Sequence, residues 1–179
     1  TVAPKATDPF IRLCVNSRRI NSFIEFGHHP IPNVKGTLHS LLGYKYFMDI
    51  DLKSSFHQML LDKETSMKLS VQTPWGQYRP KFMPEGVNAA TGELQKSMER
   101  IFGGLGDWCH LLFDNILIGG HTHQDCYDKL KLFLARAREG NVYLKMEKTW
   151  LGYREVKFFG YKVVDGRYYL DEDRSAALD

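Results

Sequence analysis

Cysteine is scarce in this chain of 179 residues: Cys14, Cys109 and Cys126 are the whole set, and no two form a Cys-x-x-Cys pair. An odd, scattered count suits a reducing compartment better than a disulfide scaffold, and such thiols usually serve as small buried apolar groups. Long apolar runs are missing too; none approaches the roughly 18 residues that a membrane span requires. The N-terminus lacks the charged-then-apolar layout of a signal peptide, so an intracellular chain without a membrane span is expected. Repeats, low-complexity tracts and linkers long enough to separate independent domains are absent. The paired His28 and His29, set in a loop with Pro30 and Pro32, have no third ligand at metal spacing, which argues against a metal site there. Nor is there a large excess of either charge. The formal net charge is +3, far from the strongly basic balance of a nucleic-acid wrapper, and all of it lies in residues 1–24, where Lys5, Arg12, Arg18 and Arg19 stand against Asp8 alone. That basic arm is either a track for phosphates or a solvated surface.

What is plentiful is apolar and aromatic material, 43% and 13% of the residues, enough for one globular unit with a substantial core. The stretch that organises the rest is 109–120. Leu111-Leu112-Phe113 and Ile116-Leu117-Ile118 are apolar runs separated by Asp114-Asn115, two residues that tolerate positive φ, and the pattern predicts a tight hairpin turning at 114–115. Its strands are too apolar for a surface hairpin, so Asp114 is expected at the rim of a pocket, as a turn residue or as a ligand. In Tyr46-Phe47-Met48-Asp49-Ile50-Asp51-Leu52, a period of two sets Phe47, Asp49 and Asp51 on one face and Met48, Ile50 and Leu52 on the other. Two carboxylates on an otherwise apolar strand are costly to bury unpaired, which points to a metal or phosphate partner.

Helical spacing of Leu94, Met98, Ile101 and Phe102 predicts a helix over 90–102, capped by Asn88 and stopped by Gly103-Gly104. Thr122, with Asp125 three residues on, opens a second helix whose apolar stripe is Cys126, Leu130, Phe133, Leu134 and Ala137 and which ends at Gly140. Alternation predicts strands over 10–16 and at Val142, Leu144 and Met146. Runs at 68–73 and 77–83 around Pro74-Trp75-Gly76, and at 156–164 and 167–170 around Asp165-Gly166, predict two further hairpins. With the 68–83 excursion set aside, the order is strand, helix, hairpin, helix, strand. That is an α+β fold of the split β-α-β-β-α-β, ferredoxin-like kind, with helices on one face of an antiparallel sheet and the other face open. The strand ending at Asp51 should then lie beside the hairpin of Asp114. Carboxylates meeting on an open face suit two divalent ions about 3.5–4 Å apart, the arrangement of phosphoryl transfer. The same sheet without metals would bind RNA by aromatic stacking, but the glycine-aromatic strand of such modules is absent.

The run Tyr46-Phe47-Met48-Asp49-Ile50-Asp51-Leu52-Lys53-Ser54-Ser55-Phe56-His57-Gln58 resembles the first catalytic motif of reverse transcriptases, those of gypsy-type LTR retrotransposons in particular. Further stretches follow in that family's order: Gly76-Gln77-Tyr78, Met83-Pro84-Glu85-Gly86-Val87, Gln95, Phe113-Asp114-Asn115-Ile116-Leu117-Ile118 and Phe158-Phe159-Gly160-Tyr161. Upstream, Arg12-Leu13-Cys14-Val15-Asn16 and Arg19-Ile20-Asn21 resemble its fingers segment.

The resemblance implies a right-hand polymerase of which this chain holds fingers and palm: a fingers segment over 1–45, a palm over 46–179 with a fingers hairpin inserted at about 64–83, and no thumb or RNase H region. It implies template-directed DNA synthesis with Mg²⁺ or Mn²⁺ on an RNA or DNA template-primer, from deoxynucleoside triphosphates. Asp51 and Asp114 match its metal positions and, with Asn115, its catalytic turn. Arg12, Glu85, Gln95 and Lys148 fall where the incoming nucleotide is held, and Phe56 where an aromatic ring excludes a 2′-hydroxyl. Phe56 is equally readable as core, Arg12 and Lys148 as surface charge. Three departures bear on activity. Asp114-Asn115 stands for a pair of aspartates, leaving one carboxylate fewer. Glu85 brings negative charge where Phe or Gln is usual, which should repel a triphosphate. Residues 88–93 lack the family's Asn-Ala-Pro pattern. The alternative is a retrotransposon-derived domain that has lost chemistry and serves protein partners in a larger complex.

Overall fold

The computed structural model describes residues 2–4, 11–13, 15–25, 33–158 and 160–171, and of 2–4 and 11–13 the backbone only. Lys5, Asp8, Cys14, the loop of His28 and His29, Phe159 and the Arg12 side chain lie outside the described residues.

In chain order the first elements are β1 (Val2–Pro4), β2 (Ile11–Leu13), α1 (Arg18–Asn21), α2 (Val34–Leu41) and β3 (Tyr46–Asp51). Then come α3 (Lys63–Lys68), β4 (Val71–Thr73), β5 (Gly76–Tyr78), α4 (Ala90–Phe102), β6 (Cys109–Leu112) and β7 (Asn115–Gly120). The last are α5 (His123–Glu139), β8 (Trp150–Tyr153), β9 (Glu155–Phe158), β10 (Tyr161–Val164) and β11 (Arg167–Leu170). They fall into two compact units, Thr1–His29 with Ser54–Leu94, and Pro30–Lys53 with Gln95–Asp179.

In the first unit β1 and β2 pair antiparallel, and β4 and β5 form the expected hairpin, closed by Pro74-Trp75 between the paired Thr73 and Gly76. Sequence reading missed α3. Its signal is local: the Asp62 carboxylate accepts the Thr65 N–H at 2.9 Å, an N-cap in a stretch too short to show apolar periodicity. Met83, Val87 and Ala90 form a small core on which Ile24, Phe56, Met59, Leu61 and Leu69 pack.

The second unit is built on a four-stranded sheet in the order β6-β7-β3-β8, every pair antiparallel. In sequence α4 lies between β3 and β6 and α5 between β7 and β8, so the split β-α-β-β-α-β arrangement is realised. The helix at 90–102 has the expected bounds, with Leu94, Met98 and Phe102 buried. Thr122 caps α5 by accepting the Asp125 N–H at 3.1 Å, while Asp125 accepts the His121 N–H at 2.8 Å. In α5, Cys126, Phe133 and Ala137 are buried, but Leu134 is 44% exposed and does not belong to the stripe. This helix lies close on β7 because Gly120 has no side chain: a Cβ there would stand 2.3 Å from Cys126 Sγ. The Phe102 and Phe133 rings stack at 4.8 Å between α4 and α5.

Two expectations need correction. The fourth strand is β8 and not 142–146: Leu144 makes a single bridge to Leu52, the chain turns through Met146–Lys148, and only then does it pair along β3. The face opposite α5 is also not fully open. Phe47, Leu112 and Leu117 are covered by Leu38 and Leu41 of α2 and by Val156, Phe158 and Val163 of the β9-β10-β11 sheet. Apolar side chains on both faces of a strand require cover on both, and Phe47 at 2% exposure is what draws the second layer in.

Candidate active site on the central sheet

Asp51 ends β3, the strand flanked on both sides, and its Cα partner on β7 is Asn115. Residues directly opposite in an antiparallel pair project from the same face, so the Asp51 carboxylate and the Asn115 amide are neighbours. The Asp51 backbone is held as well: its carbonyl accepts the Lys145 N–H at 2.8 Å, and the next residue, Leu52, donates its N–H to the Asp114 carbonyl at 3.2 Å. The side chain keeps 21% of its exposure, and Lys148 Nζ lies 3.8 Å from Asp51 Oδ2.

The hairpin beside it turns one residue earlier than expected. Leu112 pairs with Asn115, so the turn residues are Phe113 and Asp114, and Asn115 begins the strand. Phe113 takes the left-handed conformation, φ +53°, a strained choice for an aromatic residue. Gln95 on α4 explains why. Its side chain is buried; Oε1 accepts the Phe113 N–H at 2.9 Å, and Nε2 donates to the Leu111 carbonyl at 3.3 Å and to Glu99 Oε1 at 2.9 Å. The Phe113 ring meanwhile packs on the core around Phe47 and Leu117. Asp114 is thereby left at the tip, with Asn115 exposed next to it.

Asp49 shares the face of Asp51, as the alternation requires, and stands opposite Trp150 of β8. Burial pushes its carboxyl above the usual carboxylate range, and the negative charge of Asp51 adds to the shift. Trp150 and Tyr153, the cross-strand neighbours of Asp49 and Phe47, are residues sequence reading did not single out. Their signal is faint, because a four-residue strand with exposed aromatics has no visible alternation.

Asp51, Asp114, Asn115, Gln95 and Lys148 belong to the second unit; Arg12, Phe56 and Glu85 belong to the first. Phe56 sits in the turn Ser55–Gln58, half-buried on the Met83 core, while Glu85 precedes α4 in the chain. Arg12 is paired through its backbone with Ala3. The oxygens of Asp51, Asp114 and Asn115 are hard donors of the kind Mg²⁺ takes. Among the described residues no group of three or more His, Cys, Asp or Glu side chains comes together as a metal cage, and no helix is long and apolar enough to cross a membrane.

Residues 4–163 match the family described as reverse transcriptase (RNA-dependent DNA polymerase). The chain is 29% identical over 168 residues to the retrovirus-related Pol polyprotein from transposon opus of Drosophila melanogaster, a match over 93% of this chain and 17% of that one. Against the corresponding polyprotein from transposon 412 of the same organism it is 31% identical over 155 residues, 86% of this chain and 12% of the relative. It therefore spans a small fraction of the length of these relatives. Among solved structures, the foamy viral protease-reverse transcriptase dRH in complex with double-stranded DNA superposes with a TM-score of 0.87 at 18% identity, over 99% of this chain and 31% of that one. The foamy viral protease-reverse transcriptase in complex with an RNA/DNA hybrid gives 0.84 at the same identity, over 99% and 24%.

Proposed function

Because the chain belongs to the reverse transcriptase (RNA-dependent DNA polymerase) family, we propose that it is the fingers and palm portion of a template-directed DNA polymerase of LTR-retrotransposon type. Residues 1–45 and a hairpin at about 64–83 are the fingers and the rest of 46–179 the palm. The observation that carries this reading is the β3–β7 register, which sets Asp51 against Asn115 with Asp114 in the adjoining turn.

On this reading Asp51 and Asp114 hold the divalent cations, with the Asn115 carbonyl as a weaker donor. Bound Mg²⁺ or Mn²⁺ would neutralise triphosphate charge and make the primer hydroxyl a better nucleophile. The chain's own groups do the rest. Lys148, 63% exposed and within 3.8 Å of Asp51, is placed to swing its ammonium onto a phosphate. Phe56, Arg12 and Glu85 belong to the first unit, and their proposed roles, Phe56 toward the sugar and Arg12 and Glu85 toward the triphosphate, rest on the family resemblance alone. Gln95 is buried with its amide spent on the hairpin, so its role is to position Asp114 and not to touch nucleotide. RNA or DNA template-primer and deoxynucleoside triphosphates are the proposed partners.

One observation favours a second reading: Asn115 supplies an amide where the paired-carboxylate arrangement would need another charge, which suits a domain that has given up chemistry for a structural role in a larger complex. Primer extension on RNA and DNA templates, with Mg²⁺ and Mn²⁺ compared, separates the two. Extension that disappears in Asp51→Asn, with the far-UV spectrum unchanged, supports the polymerase; no extension with either metal by this chain or by its longest natural form supports the structural role.

A further inference from the structure

The cavity beside Asp49, about 420 Å³, has no place in the roles assigned above. Phe47, 2% exposed, lines its base. Trp150 and Tyr153 line it with rings that meet edge to face at 5.4 Å and 78°, and Val156 closes a further side. Three charged side chains reach it, and two are engaged within the β9-β10-β11 region: Lys162 Nζ lies 2.8 Å from Glu155 Oε2, and Lys157 Nζ 3.0 Å from Asp171 Oδ1. Asp49 differs, since among the described residues it has neither a hydrogen-bond partner nor a cation. A half-buried carboxylate in an aromatic cavity is incomplete as it stands.

We propose that this cavity binds a small organic ammonium ion with an apolar body. The carboxylate selects the charge, because opposite charges attract more strongly beside low-dielectric walls than in water. The π-faces of Trp150 and Tyr153 favour the same sign, and Phe47 and Val156 receive the hydrocarbon portion. The volume lies within the range of about 300–1,000 Å³ usual for small-molecule sites. Anions are repelled by Asp49 and by Asp51 on the same strand face. A bare divalent ion is poorly served there, since one carboxylate among rings falls short of the six or so oxygen ligands such ions take.

The test is titration of the chain with benzylammonium by calorimetry, with benzyl alcohol as the neutral counterpart. Saturable binding of the cation is expected, at least tenfold tighter than the alcohol, and at least tenfold weaker in Asp49→Asn. Trp150→Leu should weaken it as well. Absence of saturable binding, equal affinity for cation and alcohol, or full affinity in Asp49→Asn overturns the proposal. The comparison of the cation with the alcohol on the unaltered chain holds even where a variant fails to fold.

Discussion

Two hairpins of the second unit close on two-residue turns by opposite means. At Asp165-Gly166, between the paired Val164 and Arg167, both turn residues have positive φ, +48° and +70°, and both are types that accept it at little cost. At Phe113-Asp114 the left-handed place falls to a phenylalanine, at a cost of about 1–2 kcal/mol. Distant groups enforce it: the Gln95 amide on one side, the Leu52 N–H on the other, and the apolar core around the ring. The first turn is a local event. The second is imposed by the fold, and backbone strain held by its surroundings is characteristic of functional positions.

The contrast is broken most sharply by deleting the carboxylate from each turn. Asp114→Ala is expected to lower metal-dependent primer extension on the order of a hundredfold or more, whereas Asp165→Ala should leave it near that of the parent chain. Equal losses would remove the functional distinction between the turns. The next effect concerns stability. Gln95→Leu leaves the Phe113 N–H and the Leu111 carbonyl without their partner and should cost about 2–3 kcal/mol in chemical denaturation. Gly166→Ala, which only strains a local φ, should cost about 1 kcal/mol. A Gln95→Leu penalty no larger than that of Gly166→Ala would mean the turn at 113–114 does not depend on its distant support.

The smallest expected effect is in pH dependence. The His110 ring on β6 has its Nε2 buried and, among the described residues, without a hydrogen-bond partner, and burial holds its pKa below the ordinary 6.5, against a lesser upward pull from Asp107. The unfolded chain therefore takes up the proton first. Stability attributable to His110 is present above pH 6.5 and is lost as pH falls from there through the lowered folded pKa. His110→Leu should flatten the stability profile across that window, while the 161–170 hairpin holds no histidine to give it a like dependence. An unchanged profile in the variant would place the acid sensitivity elsewhere.

The same contrast marks what could be read in the sequence. Asp165-Gly166 was legible because its turn is chosen by its own two residues, and α4 because four apolar residues at helical spacing outvote the rest of the segment. The pairing of β3 with the β6–β7 hairpin followed from the element order, since the split arrangement has few ways to pair, but the fourth strand did not. The turn at 113–114 was placed one residue late because its register depends on Gln95, 18 residues upstream in sequence. α2 escaped notice for a similar reason: Gly36 weakens the helical pattern, and the Asn33 side chain that restores it, accepting the Gly36 N–H at 3.0 Å, is a cap for a segment of only eight residues. The cover over Phe47 was hidden because it comes from strands that local pattern ties only to one another. As for the site, the common face of Asp49 and Asp51 was readable from alternation; the cavity beside Asp49 was not, since Trp150 and Tyr153 reach it through long-range pairing.

The place of Asn115 directly across from Asp51 has a consequence for how the sheet is assembled. An aspartate there would set like charges face to face, a destabilising pair relieved only by a counter-ion. With an amide in that position, closing the strand pair brings no second charge against Asp51, and folding does not wait on an ion. Chelator should lower the melting temperature of the chain only by the little that ion binding at Asp51 and Asp114 contributes, whereas Asn115→Asp should melt distinctly lower in chelator and recover when magnesium is restored.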